Sequence, residues 1–212
     1  MLFSGVGEGR YTVEFSEDGE SWQRLEDFEQ DYVSVLKWNE YIPSTELKPR
    51  YVRFTGVGSV YLGEVAMYDG DGEQIALSPA DSGAASVLIC DEQDTAHSRQ
   101  HFLNSTYFDE IYHARTAWEQ LNAVKPYEVS HPPLGKLLIA LGVRIFGMSP
   151  FGWRFMGTFF GILMLPVIYV FAKKMFGGYS VPAAAAIILA SDFMHFVQTR
   201  IATIDTYGVF FT

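Results

Sequence analysis

Cysteine is almost absent from this chain. Cys90 is the one thiol in 212 residues, which rules out an internal disulfide and leaves the redox compartment unreadable from thiol usage. Positive charge is also scarce, with 15 lysines and arginines against 25 aspartates and glutamates and a formal net charge of −10. The deficit is concentrated at one end. Residues 1–100 hold 19 of the acids and 7 of the bases. Phosphates would repel a front half of that charge, which argues against a nucleic-acid partner. Residues 101–212 lack acidic charge instead, with 6 acids against 8 bases, and they carry nearly all the long apolar runs. An acidic, soluble front half thus precedes a lipid-seeking back half. A signal peptide is missing too, since MLFSGVGEGRYTV has neither a basic n-region nor an apolar h-region. Because the topology below puts the front half outside the cell, something upstream is expected to deliver it. The chain is expected to be a piece truncated at both ends and inactive alone.

The front half shows period-two alternation. Tyr11, Val13 and Phe15 lead into Ser-Glu-Asp-Gly and then Trp22 and Leu25, which predicts a strand, a tight turn at Asp18-Gly19 and a returning strand. Tyr51-Val52-Arg53-Phe54 and the set Tyr61, Leu62, Val65, Met67 repeat the pattern. GVGEGR lacks the Lys-Ser/Thr ending of a phosphate loop. Asp69–Gly72 (DGDG) lacks the further oxygen ligands of a helix–loop–helix calcium site and predicts a hairpin turn. The pattern Y-x-V-x-x-S-x-D-G-x-x-W at Tyr11–Trp22, with RYVRF and LGEVAMYD after it, resembles the discoidin (factor 5/8 type C) galactose-binding jelly roll. That resemblance implies a partial jelly-roll module over residues 1–77, serving as a spacer or as a glycan- or membrane-binding module. Residues 78–103 read as a final strand, with its apolar run at Val87–Cys90, followed by a linker.

In the back half, Phe155 to Ala172 is an uncharged run of 18 residues. At 1.5 Å per residue it reaches roughly 27 Å, close to the hydrocarbon thickness of a bilayer. Spans are predicted at about 153–172 and 181–198, with a third starting near 201. LGKLLIALGVRIFG is too short to span and predicts a helix lying in the interface over about 134–147, started by Ser-His-Pro-Pro. Lys173 and Lys174 mark the cytoplasmic side of the first span. Asp109, Glu110, His131, Lys136, Arg154, Arg200 and Asp205 then share the outer face, from separate stretches of chain. Asp109 and Glu110 are adjacent, so on a helix they diverge by about 100° and cannot share a proton. One carboxylate as base and the other holding a positive group, or orienting the first, fits better. Arg154 and Arg200 are either interface anchors or ligands for a lipid-linked phosphate. An ionisable residue at a span end, such as Asp205, is a functional candidate. No metal-ligand spacing appears.

YFDEIYHARTAWE, HPPLGKLLIALG, WRFMGTFFGILMLPVIYVF and HFVQTRIATIDTYGVFF resemble the protein O-mannosyltransferase family, over about residues 104–212. The resemblance implies a GT-C membrane domain, so the fold expected for the whole chain is a β-sandwich followed by α-helical transmembrane segments. It also implies a multi-pass enzyme, working on the extracytoplasmic side, that moves mannose from a polyprenyl-phosphate carrier to a protein Ser/Thr hydroxyl. The transfer would invert the sugar and need no metal or other cofactor. Asp109 would be the base and Glu110 would orient the acceptor or a loop. Arg154 would hold the donor phosphate or the active-site loop, and His131 and Lys136 would shape the headgroup site, with Arg200 and Asp205 as further contributors. A membrane-anchored glycan-binding protein without catalysis and a transferase acting on a lipid or cell-wall glycan are the alternatives.

Overall fold

The computed structural model describes every residue except 1, 45, 59, 60, 98 and 100. Two compact units meet in sequence between Ser105 and Thr106. The first contains strands β1 (Leu2–Ser4), β2 (Gly9–Ser16), β3 (Gln23–Gln30), β4 (Lys37–Asn39), β5 (Tyr51–Gly58), β6 (Leu62–Val65), β7 (Met67–Tyr68) and β8 (Gln74–Ile75). Their pairings are antiparallel, in sheets ordered β4-β1-β6 and β3-β2-β5, with β7–β8 as a separate hairpin. The alternation in β2 turns Tyr11 and Val13 inward, where they meet Val65 of β6. Leu25, Phe28, Val52, Phe54 and Leu62 close around them, so both three-stranded sheets feed one apolar cluster.

The two expected turns form as local chemistry dictates. Gly19 takes φ +83°, and the Asp18 carboxylate accepts the amides of Glu20 and Ser21 at 2.8 Å. Asp69 Oδ1 likewise accepts the amides of Asp71 and Glu73, closing the β7–β8 hairpin. Beyond them the expectation fails. The run read as a last strand lies instead in helix α1 (Ala84–Leu88) and the residues that end it, followed by a 3₁₀ turn at Gln93–Thr95. A short apolar run carries no period, and here Ala84-Ala85 favours the helix. Its link to the strands is the Val65 amide donating to the Ile89 carbonyl at 2.8 Å. Ser98 and Gln100 of the expected linker lie outside the described residues.

The second unit is helical: α2 (Glu110–Leu121), α3 (Pro133–Phe146), α4 (Pro150–Phe176), α5 (Ser180–Ser191), α6 (Phe193–Gln198) and α7 (Asp205–Phe211). Pro133 and Pro150 occupy first-turn positions, where their missing N–H costs nothing. Ser149 caps α4 by accepting from the Gly152 amide. The helix ends where Gly177 adopts φ +65°, with Lys173 and Lys174 in its last turn complementing the helix dipole. Its 27 residues make it about 40 Å long. It is the one helix among the described residues that is long and apolar enough to cross a membrane. Ile162, Val167, Val170 and Phe171 stand exposed along it.

The second expected span is not one helix. The chain breaks at Asp192, whose extended backbone and side chain start α6 by accepting the His195 amide at 2.7 Å. That leaves α5 with 12 residues, or about 18 Å. The third run bends through 201–204 before α7. That bend lies against α4: a Cβ on Gly157 would stand 3.3 Å from the Ile201 carbonyl, and one on Gly161 would strike Thr199 at 2.5 Å.

Candidate functional site

Local backbone geometry separates the two adjacent acids. Phe108 sits at φ +53°, in the left-handed region that side chains rarely adopt, and is followed by Asp109 at the helix cap and Glu110 at the first position of α2. Glu110 turns inward and is fully buried. Its Oε1 accepts from Arg154 Nε at 2.7 Å and from the Ala202 amide at 2.8 Å. Its Oε2 accepts from Arg154 Nη2 at 2.6 Å and from the Tyr107 amide at 2.7 Å. One carboxylate therefore ties together the start of α2, the start of α4 and the 199–204 bend. A buried carboxylate is tolerated only when paired and hydrogen-bonded in this way.

Asp109 stays out of this network. Its carboxylate is half-buried and makes no hydrogen bond or ion pair among the described residues. A carboxylate held at a fixed backbone position with its lone pairs unspent can accept a proton from a ligand.

Between α2 and α3 a second polar group forms around a residue that the sequence did not single out. Glu128 receives the Lys136 ammonium on Oε2, and on Oε1 the Ser130 hydroxyl, the Ser130 amide at 2.6 Å and the His131 amide at 3.3 Å. His131 Nδ1 lies 3.1 Å from the same Oε1. Lys136 is 2% exposed and also donates to the Glu128 carbonyl at 3.0 Å and the His131 carbonyl at 3.5 Å. Burial works against the charge on Glu128, but the hydrogen bonds from Lys136, Ser130 and His131 outweigh it. They hold the carboxyl below the usual carboxylate range. The His113 ring, buried in α2, stands edge-on to His131 with centroids 5.8 Å apart. Burial, and then the charges of Lys136 and His131, push His113 below its ordinary value, while Glu128 and Asp109 pull the other way.

Arg115 and Glu119 form a third pair at 2.9 Å, with Glu119 also accepting the Tyr127 amide at 2.8 Å. That bond and the Arg115 guanidinium, 4.4 Å above the Tyr127 ring, anchor the α2–α3 connection. The remaining candidates stay apart from these groups. Arg200 is exposed and lies over the Phe196 ring at 4.7 Å. Asp205 is exposed in the first turn of α7. The structure thus joins Glu110 to Arg154 and His131 to Lys136, and leaves Asp109, Arg200 and Asp205 unpaired with one another. Glu128 carried a weak signal, three residues before His131 and eight before Lys136, but the Pro132-Pro133 turn between them keeps the three from sharing one helix.

Comparison with known proteins covers this half of the chain. Residues 98–212 match the family profile described as dolichyl-phosphate-mannose-protein mannosyltransferase. Over 110 residues the chain is 36% identical to the polyprenol-phosphate-mannose--protein mannosyltransferase of Mycobacterium tuberculosis (strain H37Rv), covering 49% of this chain and 21% of that protein. It is 34% identical over 116 residues to the protein of the same name from Corynebacterium glutamicum, covering 49% and 22%. The Mycolicibacterium smegmatis (strain MC2 155) protein is 34% identical over 110 residues, covering 49% and 21%. The chain spans about a fifth of the length of these curated relatives. No solved structure matches.

Proposed function

Because this chain belongs to the dolichyl-phosphate-mannose-protein mannosyltransferase family, we propose that it carries the acidic loop of an enzyme transferring mannose from a polyprenyl-phosphate carrier to a Ser/Thr hydroxyl of a protein. The supporting observation is the contrast between the adjacent acids: Glu110 is buried and bonded on both oxygens, while Asp109 is half-buried and unbonded among the described residues. In this reading Asp109 takes the proton of the acceptor hydroxyl as that oxygen attacks the mannosyl C1. The C1–O bond to phosphate breaks on the opposite face with inversion, and polyprenyl phosphate leaves with the electron pair. Glu110 is then a positioning residue. Arg154, held against it, keeps the loop in place instead of meeting phosphate. Arg200, exposed and two residues before the Ala202 amide that Glu110 holds, suits the leaving phosphate. No residue in the scheme acts through a metal.

The charges flanking α4 support a sidedness for this reading. Lys173 and Lys174 lie at one end and Arg154 at the other, about 28 Å away along the axis. With the lysines cytoplasmic, the acidic loop lies on the extracytoplasmic surface, where the carrier presents its sugar.

Replacing Asp109 by Asn tests the assignment. Asp109→Asn keeps size and shape, and is expected to lower mannose transfer in the whole protein about 10²–10⁴-fold while membrane insertion and thermal stability stay unchanged. Unaltered turnover would remove Asp109 from the role of base.

A further inference from the structure

We infer that Glu128 is a positioning residue, which fixes His131 in its Nδ1–H form with Nε2 left to meet a sugar hydroxyl, and that Lys136 is the buried counter-ion of Glu128 and no ligand for phosphate. The first part rests on who can donate. An ionised carboxylate only accepts, so the 3.1 Å approach of His131 Nδ1 to Glu128 Oε1 requires the proton on Nδ1. The Ser130 hydroxyl, 3.1 Å from the same nitrogen, already donates its own proton to Glu128 and so offers His131 only a lone pair. Both neighbours demand the same tautomer. Neutral His131 then keeps a lone pair on Nε2, on a side chain 52% exposed. A phosphodiester has no proton to offer such a lone pair, whereas the hydroxyls of a hexose do. The His113 ring, buried and edge-on, backs the imidazole and limits its swing.

The second part is a count of donors. An ammonium has three N–H groups, and those of Lys136 go to Glu128 Oε2, the Glu128 carbonyl and the His131 carbonyl. At 2% exposure none is left for a ligand. The lysine neutralises the carboxylate and clamps the Glu128–His131 turn. That Nε2 meets a mannosyl hydroxyl rests on the mannose-transfer reading, but the tautomer does not.

Two measurements test this. Both use Glu128→Leu together with Lys136→Met, since removing a buried pair as a pair leaves no uncompensated charge. Nitrogen-15 NMR of the reconstituted whole protein, above the pH range where imidazoles titrate, should show His131 as Nδ1–H. In E128L/K136M it should move toward the Nε2–H form. An Nε2–H form in the unsubstituted protein overturns the proposal. In mannose transfer, E128L/K136M should lower kcat/KM by about tenfold or more with His131 present, and by less than about twofold in an H131A background, because the effect passes through that ring. Equal losses in both backgrounds would make Glu128 merely structural and overturn the proposal. Should the unsubstituted protein transfer no mannose, the transfer reading fails on its own, and the tautomer still decides the role of Glu128.

Discussion

Glu110 and Arg154, 44 residues apart in sequence, meet through two parallel hydrogen bonds of 2.7 and 2.6 Å in the interior of the helical unit. The pair is bidentate, which gives it direction as well as strength. Removing the arginine strands a buried carboxylate. Arg154→Ala is expected to cost about 3–5 kcal/mol, read as lowered thermal stability in detergent. Arg154→Lys, which keeps the charge but not the planar fork, should fall between.

The 199–204 bend depends on the absence of a side chain across from it. A Cβ at Gly161 would stand 2.5 Å from Thr199 Cβ and Cγ2. Gly161→Ala should therefore lift the bend from α4 and cost about 1–3 kcal/mol in denaturant unfolding. Thr199→Ala in the same chain removes one of the clashing atoms and should recover part of the loss.

The pH dependence of stability has a definite sign. The pKa of His113 is depressed below its ordinary 6.5 in the folded protein, by burial first and then by Lys136 and His131. Below that ordinary value the unfolded chain binds a proton that the folded one resists, so unfolding gains. The contribution of His113 is complete above about pH 6.5 and is lost as the pH falls toward the depressed value. Unfolding free energy measured between about pH 7.5 and 5.5 should decline, and His113→Phe should flatten the decline. Glu128, whose carboxyl is held low, loses its contribution only in a more acidic range.

Topology can be read by labelling. With Cys90 replaced by Ser, single cysteines introduced as F108C and R200C should react with an impermeant maleimide from the same side of the membrane. Y179C, beyond the lysine pair, should react from the other. Phe108 and Tyr179 are 72% and 71% exposed, so reagent access does not limit either. Labelling of F108C and R200C from opposite sides would remove the common surface on which the proposed chemistry depends.

Much of the helical half was legible because long apolar periodicity and proline starts are local signals. A helix was expected over about 134–147 and is found at Pro133–Phe146, and the apolar run at about 153–172 lies within the helix Pro150–Phe176. The break at Asp192 was equally local, an N-capping acid in the middle of ASDFMHFV, but apolar averaging on both sides hid it. The strand expected at Val87–Cys90 failed because four apolar residues have no period to read. The pairing of Glu110 with Arg154 was legible only as an option, one acid holding a positive group, since nothing in a sequence says which distant arginine arrives. Glu128 was passed over because its partners lie on both arms of a Pro-Pro corner, where no regular spacing connects them.

The Ala202 amide is one of the ties that set where two exposed charges emerge, beside the Thr158 hydroxyl that donates to the Thr199 carbonyl. Ala202 is hung from Glu110 by its N–H; Arg200 precedes it by two residues and Asp205 follows it by three. Among the described residues neither charged side chain bonds to the acidic loop, so the loop reaches both through the Ala202 peptide, as a pivot carries the two arms of a balance. Inserting or deleting one residue on either side of that peptide would re-aim one charge and leave the other where it was.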